Sequence, residues 1–265
     1  SGCAGDALKV RQMRLYSWNV NGWRAACRKG LRDWVDKAKP DLLCIQESKA
    51  NPATMGPEES RLDGYSSCWA VAQRPGYSGV VTFSKNADCP AQAGLGIERF
   101  DAEGRVVITD CGAFDLYNVY FPNGKKDSER LAFKLDFYAT FLERINQRVA
   151  AGRPAVFCGD VNTAHRPIDL ARPKENQRIS GFLPEERAYL DLWEQHGWVD
   201  SFRHFHPDAA RYSWWSQRTD ARSRDIGWRL DYFWVHQSLL PRLQDAGIAT
   251  EVTGSDHCPV WLEIH

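Results

Sequence analysis

The chain has 265 residues, 43% of them hydrophobic, and its 34 Lys and Arg balance 34 Asp and Glu to a formal net charge of zero. That length and composition support a sizeable buried core, and no apolar run approaches the roughly 18 residues that cross a bilayer as a helix, so a membrane-spanning helix and a low-complexity chain are excluded and a soluble protein is expected. A nucleic-acid partner would have to be held by local patches, not by bulk charge.

Residues 1–12 are small and polar, lack an apolar signal core and begin without Met, so they read as a flexible, processed N-terminal segment. Residues 13–265 then form one domain, because no linker-like stretch interrupts them. Strand signals run in order over Met13–Trp18, Asp41–Gln46, Ser78–Ser84, Val106–Thr109, Phe114–Tyr120, Ala155–Cys158, Leu230–Val235 and Pro259–Ile264. A helix covers Gly30–Lys39, with Leu31, Trp34, Val35 and Ala38 on one face. A longer one runs from an Asp127 N-cap to about Val149, its stripe being Leu131, Leu135, Tyr138, Leu142, Ile145 and Val149. A third covers Pro184–His196, with Leu190 and Trp193 inward. Strands outnumber helices in irregular order, which favours an α/β sandwich of two packed sheets flanked by helices over an alternating barrel.

The eight cysteines form no Cys-x-x-Cys pair, and Cys44 and Cys158 lie within apolar strands. Reduced thiols and an intracellular location are expected, with cytoplasm or nucleoid in a prokaryote and nucleus in a eukaryote. Arg211, Arg218, Arg222, Arg224 and Arg229 crowd one segment, and Lys125, Lys126, Arg130 and Lys134 follow the Pro122-Asn123-Gly124 turn. If they share a face, these two groups make a phosphate-binding surface; otherwise they are ordinary solvated loops.

Four strands end in polar groups: Asn19 and Asn21, Glu47, Asp160 with Asn162, and the Gly254-Ser255-Asp256-His257 turn before the last strand. Such residues are poor strand formers and costly to bury alone, so their repetition at strand ends points to one shared polar site. Carboxylate and amide oxygens dominate it, which favours Mg2+, with Mn2+ as a substitute, over zinc. The isolated reading of each is blander. His257 alone would be a satisfied turn histidine, Tyr120 a strand-end aromatic and Asp231 a buried strand carboxylate.

Ser17-Trp18-Asn19-Val20-Asn21-Gly22, Gln46-Glu47-Ser48-Lys49, Gly76-Tyr77-Ser78-Gly79, Tyr120-Phe121-Pro122-Asn123, Gly159-Asp160-Val161-Asn162-Thr163-Ala164-His165, Gly227-Trp228-Arg229-Leu230-Asp231-Tyr232 and Gly254-Ser255-Asp256-His257 occur in that order. This series resembles the motifs of the exonuclease III family of apurinic/apyrimidinic endonucleases, within the endonuclease/exonuclease/phosphatase superfamily, and extends over nearly the whole chain from about Met13. The resemblance implies a four-layered α/β sandwich and Mg2+-dependent cleavage of duplex DNA 5′ to abasic sites. Trimming of 3′-blocked ends by 3′-phosphodiesterase and 3′-5′ exonuclease activity is implied with it, and a monomer is expected.

By similarity, Asp160 orients or deprotonates the attacking water beside Asn162. His257 pairs with Asp231 and donates to a phosphate oxygen, and Asn19 and Tyr120 contact the scissile phosphate or leaving group. Glu47, Asn21 and Asp256 belong to the metal site. Trp214, Trp228 and Leu230 form the wall of an abasic pocket, and Lys49, Tyr77, Asn123, Lys125 and Asn176 fall at or near DNA-contact positions. Asn21 stands where the human-type branch has Asp, which implies weaker Mg2+ binding. Trp214 replaces a family Phe, and Arg218 replaces an apolar wedge residue. Trp215, pointing opposite to Trp214 in an extended segment, is read equally as pocket or core.

A superfamily relative acting on another phosphate ester, such as a general DNase, an inositol phosphatase or a phospholipase-like enzyme, shares the Asn, Glu, Asp-x-Asn and Ser-Asp-His core. The Trp228–Asp231 segment and the loop bearing Asn176 favour the abasic-site branch. A DNA-binding protein that has lost catalysis fits less well, because every expected catalytic position is filled.

Overall fold

The computed structural model describes residues 11–86 and 89–265. The strands are β1 (Met13–Asn19), β2 (Leu42–Gln46), β3 (Ser66–Ala70), β4 (Val80–Ser84), β5 (Ala91–Ala93), β6 (Val106–Asp110), β7 (Asp115–Tyr120), β8 (Ala155–Asp160), β9 (Trp198–Asp200), β10 (Trp214–Trp215), β11 (Gly227–Trp228), β12 (Asp231–His236), β13 (Leu243–Ile248) and β14 (Val260–Ile264). The helices are α1 (Trp23–Arg28), α2 (Leu31–Ala38), α3 (Glu98–Asp101), α4 (Ser128–Ala150), α5 (Pro173–Asn176), α6 (Pro184–Gln195) and α7 (Ser201–Phe205). No described helix is long and apolar enough to cross a membrane.

Two six-stranded mixed sheets pack face to face, in the orders β13-β14-β1-β2-β4-β3 and β5-β6-β7-β8-β12-β9, and β10 pairs with β11 separately. Each sheet has a parallel pair near its centre, β1 with β2 and β7 with β8. Period-two alternation divides the apolar residues among three layers. Leu15, Leu42, Cys44, Leu116, Val156, Phe233, Val235 and Leu262 fill the space between the sheets. Their alternates Tyr16, Trp18, Leu43 and Ile45 pack under α1 and α2. Tyr117, Val119, Phe157, Tyr232 and Trp234 pack under α4 and α6. The result is the four-layered α/β sandwich expected from the sequence.

All eight sequence-read strands occur, with ends displaced by up to two residues. The unforeseen strands β3, β5, β9 and β13 are the outermost strands of the two sheets. Each of these edge strands is short or half-exposed, so it needs no continuous apolar run, and that leaves little pattern to read. The strand expected at Ser78 begins at Val80 instead, because Ser78 and Gly79 have φ of 52° and 89° and turn the chain.

Asp127 does cap α4, accepting from the Arg130 N–H at 2.8 Å. The buried stripe of α4 is rotated from the expected one, however. Lys134, Phe137 and Phe141 are buried with Tyr138, Leu142 and Ile145, while Leu131, Leu135 and Val149 are only partly covered. An aromatic cluster decides this: Phe121 makes edge-on contacts with Phe137 and Phe141 at ring separations of 5.4 and 5.3 Å, and the gain from such pairs outweighs that of the aliphatic row.

The seven described cysteines are unpaired, with Cys44 and Cys158 buried; Cys3 lies outside the described residues. Of the expected flexible N-terminal segment, residues 1–10 also lie outside them, while Arg11 and Gln12 donate to Asp41 and Glu263, each at 3.1 Å.

Candidate active site

The same alternation that builds the inter-sheet core places polar side chains at one end of it. Asn19 continues the inward series of Leu15 and Ser17 on β1, and Asp160 continues Val156 and Cys158 on β8. Tyr120 and Asp231 face the same layer from β7 and β12. Register then aligns three of them: Tyr120 and Asp231 are the direct cross-strand neighbours of Asp160 on either side. β12 runs antiparallel to β8, so its first residue meets the last residue of β8, and a polar strand start and a polar strand end share one row. The strands approach closely here; a Cβ at Gly159 would lie 1.8 Å from Val119 O, so glycine is required beside Asp160.

His257 joins this row from the turn before β14, its main-chain carbonyl accepting from Trp18 Nε1 at 3.0 Å. Its Nδ1 donates to Asp231 Oδ2 at 2.8 Å, and its Nε2 lies 3.6 Å from Asp160 Oδ2. Ser213, a residue that no sequence motif marked, donates its hydroxyl to Asp231 Oδ2 at 2.7 Å. Asp160 is held by Asn19 Nδ2 at 2.9 Å and by the Asn162 N–H at 2.9 Å. Asp160, Asp231 and His257 are 2%, 1% and 5% exposed, so their charges are poorly screened.

Burial alone would lower the His257 imidazolium, but Asp231 and then Asp160 outweigh it and raise it to about 10. Burial raises the Asp160 carboxyl to about 7, against the opposing pull of His257. The group can thus hold a proton on the imidazole while a carboxylate beside it accepts another.

Glu47 stands next to this row. Its Oε1 accepts from the Tyr120 hydroxyl at 2.8 Å and from Asn19 Nδ2 at 3.3 Å. Its Oε2 lies 3.1 Å from Lys49 Nζ, which also donates to Asn21 Oδ1 at 2.7 Å. Asn21 Nδ2 is 3.4 Å from Asp256 Oδ1, and Asp256 Oδ2 accepts from Trp214 Nε1 at 3.1 Å. Oxygens of Glu47 and Asn21 therefore already converge on a positive charge, the Lys49 ammonium, and with Asp256 they form an all-oxygen set that fits a hard divalent cation. Asp160, Asp231 and His257 also lie close enough together to hold a metal, but the hydrogen bond to Asp231 occupies Nδ1 of His257 and leaves Nε2 facing Asp160. Asn21, Glu47, Lys49, Ser78 and Asn162 all have φ between 49° and 58°, a conformation that costs energy for a side-chain-bearing residue and recurs at functional sites.

Trp214, Trp228 and Leu230 come together with Ala164, Leu170 and Phe182 in a separate apolar cluster beside Asp256. Trp215 belongs to the core: it is 3% exposed, packs between the sheets and donates Nε1 to Asp225 at 3.1 Å. Asn123 donates to Asn162 Oδ1 at 3.3 Å, and the Lys125 ammonium lies over Trp214 and Trp228. The Tyr77 hydroxyl accepts from Arg105 and Arg130, each at 3.1 Å, and contacts Glu103 at 3.4 Å. Tyr77 and Lys49 also line a groove of about 320 Å³ with Arg24, Asn51 and Arg74. Asn176 instead bonds its own turn, its Nδ2 donating to Arg172 O at 2.7 Å, and the exposed Arg218 side chain forms no hydrogen bond or ion pair with the other site residues among the described residues.

The expected basic surface is smaller than the sequence suggested. Arg229 is buried between Asp169 and Asp200, and Lys134 is buried against Glu186. Arg222 binds the carbonyls of Thr250, Val252 and Ser255. These cations neutralise or cap groups inside the protein, where unpaired charge or carbonyl oxygen would be costly, and so are not offered to phosphate. Arg211, Arg218, Arg224, Lys125 and Lys126 remain exposed. Lys134 also donates to Asn162 O at 2.7 Å, and Glu186 accepts from Ser180 Oγ and the Gly181 and Leu183 N–H groups. This buried pair links the Asp160–Asn162 turn to the loop that carries Phe182 into the aromatic cluster, a role invisible in a lysine read only as part of a basic run.

Fold and site together define an α/β-sandwich hydrolase with an acidic, histidine-bearing centre between its sheets. Residues 16–257 match the Endonuclease/Exonuclease/phosphatase family. The exodeoxyribonuclease of Bacillus subtilis (strain 168) is 40% identical over 255 residues, covering 96% of this chain and 100% of the relative. The DNA-(apurinic or apyrimidinic site) endonuclease of Dictyostelium discoideum is 38% identical over 265 residues, covering 97% and 72% respectively. The crystal structure of an AP endonuclease from Leishmania major matches with a TM-score of 0.86 at 32% identity, over 96% of this chain and 88% of that one. The chain belongs to the Endonuclease/Exonuclease/phosphatase family and, within it, to the DNA-repair nucleases of the exonuclease III-like AP endonuclease type.

Proposed function

We propose that this enzyme is a Mg2+-dependent phosphodiesterase, with Mn2+ able to substitute, that incises duplex DNA 5′ to abasic sites and also trims 3′-blocked ends and nucleotides. The observation that carries this reading is the placement of the Asp160–His257–Asp231 row next to an apolar wall of Trp214, Trp228 and Leu230. Hydrolysis needs an activated water and stabilisation of developing negative charge; damage selection needs a pocket that accepts a sugar without its base.

Asp160 accepts the proton of the attacking water, its orientation held by Asn19 and Asn162. His257, kept protonated chiefly by Asp231, donates from Nε2 to a non-bridging phosphate oxygen. Asn19 and the Tyr120 hydroxyl face the phosphate and the departing 3′ oxygen from the same row. Mg2+ bound by Glu47, Asn21 and Asp256 would supply counter-charge to the phosphoryl oxygens. Lys49, Tyr77, Asn123, Lys125, Asn176 and Arg218 contact the DNA around the lesion, and unpaired abasic sugar enters the pocket because it has no stacking to lose. Residues 13–265 work as one domain in a monomeric, intracellular protein.

The test is cleavage of a labelled duplex carrying one abasic-site analogue, beside the undamaged duplex, with Mg2+ and with EDTA. Mg2+-dependent incision confined to the 5′ side of the lesion is expected. Equal degradation of both duplexes would make the enzyme a general nuclease, and cleavage of neither by folded protein would remove DNA as the substrate.

A further inference from the structure

Lys125 projects from a turn that has little freedom to move. Its N–H donates to Asn123 Oδ1 at 2.8 Å, and Asn123 Nδ2 is bonded in turn to Asn162. Gly124 is wedged against the neighbouring loop and helix, where a Cβ would lie 2.7 Å from Ser180 Oγ and 3.1 Å from Leu131 Cδ1. From this anchored turn the lysine stem carries its ammonium to 5.2 Å from the Trp214 ring centroid and 5.4 Å from that of Trp228. The two rings are 6.3 Å apart and nearly perpendicular, at 79°.

Lys126, next in the chain, is exposed to solvent, and two other lysines of the site are committed as cations. Lys49 lies between Glu47 and Asn21, and Lys134 is buried against Glu186. Lys125 differs from both, since its ammonium forms no hydrogen bond or ion pair among the described residues. Loss of hydration on partial burial pushes it below the ordinary lysine value, opposed by the attraction of Asp160 and then Glu186. A lysine amine with reduced hydration and no carboxylate partner is the form that acts as a nucleophile toward carbonyl carbon.

We propose that Lys125 forms a reversible Schiff base with the aldehyde of an abasic sugar seated against Trp214, Trp228 and Leu230. This rests on abasic DNA being the substrate and adds a covalent step to it. The neutral Nζ attacks C1′ of the ring-opened deoxyribose, forming the N–C1′ bond as the carbonyl π pair moves to oxygen. One proton passes from nitrogen to that oxygen, giving a carbinolamine. The hydroxyl then leaves with the second nitrogen-bound proton as water, and the N=C1′ double bond forms. The step needs no oxidant or reductant. Protonation of the imine restores one positive charge beside Trp214 and Trp228, so the adduct keeps the ring contacts that the ammonium makes. Incision on the 5′ side leaves the aldehyde on the 5′ sugar phosphate, so the same bond holds the product end.

The experiment incubates the whole protein, in EDTA to prevent incision, with duplex DNA containing a natural abasic site and sodium cyanoborohydride, which reduces an imine to a stable secondary amine. A slow-migrating protein–DNA band is expected on a denaturing gel, with the adduct mapping to Lys125 by peptide mass spectrometry. The band should be absent with a tetrahydrofuran analogue, which has no aldehyde, and should fall by roughly tenfold or more in Lys125→Met and Lys125→Arg. Arginine keeps a cation over the rings but cannot form the imine. An undiminished band in both variants, an adduct on another lysine, or no band from the wild type would overturn the proposal. Incision of the tetrahydrofuran duplex in Mg2+ by the same preparation separates the two readings. Incision without trapping refutes the imine alone, whereas failure of both refutes the abasic-site substrate as well.

Discussion

His257 Nδ1 lies 2.8 Å from Asp231 Oδ2, and the register of β12 on β8 puts that aspartate directly beside Asp160, toward which the other imidazole nitrogen points at 3.6 Å. One histidine thus joins two carboxylates with different proposed roles: the first holds its proton, and the second is the proposed base. Strand register, and not a local motif, creates the relationship.

A bell-shaped pH dependence of single-turnover incision follows. Asp160 must be ionised, so the rate should rise as pH increases through about 7; His257 must be protonated, so it should fall as pH approaches about 10. Asp231→Asn removes the largest influence raising the imidazolium. The alkaline limb should move to lower pH and the maximal rate should drop on the order of 10²-fold. An unmoved alkaline limb would assign that limb to another group.

Asn21→Asp should strengthen divalent-cation binding. The new carboxylate adds one negative charge to the oxygens around Lys49, and site charge helps set affinity. Mg2+ titration followed by calorimetry and by incision should both show half-saturation at lower concentration. An unchanged midpoint would mean that the Lys49 ammonium takes up the added charge.

Lys134→Met should destabilise the fold and misplace the Asp160–Asn162 turn together. It leaves Glu186 fully buried without its cation, a defect costing roughly 3–5 kcal/mol, and removes the donor to Asn162 O. Urea denaturation checks the first effect. If Lys134→Met with Glu186→Leu regains stability but not the incision rate, the pair's geometric role is separate from its contribution to folding.

Arg218→Ala should weaken duplex binding without slowing the bound complex, because Arg218 is exposed and its side chain forms no hydrogen bond or ion pair with another site residue among the described residues. Fluorescence anisotropy should show the weaker binding, less pronounced at high salt. A lower single-turnover rate at unchanged affinity would place Arg218 in the chemical step instead.

Acid should expose a second buried network. Burial opposes ionisation of Asp169, but Arg229 and then Arg203 pull its carboxyl from an ordinary 3.8 down to about 2. A lowered folded value stabilises above the unfolded one, so this contribution, on the order of 2 kcal/mol, is lost as pH falls from about 4 through about 2. Thermal unfolding measured across that range should lose this increment in wild type and not in Asp169→Asn, which starts lower.

Much of this protein was written in local pattern. Period-two alternation distinguished the central strands and their inner faces, and polar residues at strand ends marked Asn19, Glu47, Asp160 and His257, because a buried strand has a continuous apolar signature that any polar interruption breaks. Tertiary structure decided what such patterns do not encode. It made β3, β5, β9 and β13 into strands by pairing them at sheet edges, where burial is too partial to leave a signature. It turned Arg229 and Lys134 from apparent surface cations into buried partners of Asp200, Asp169 and Glu186, and it brought the Lys125 amine over two tryptophans more than 80 residues away in sequence. A charged side chain reads the same in sequence whether it meets solvent or a counter-ion, and only the packing of distant segments sets its dielectric surroundings and its partner.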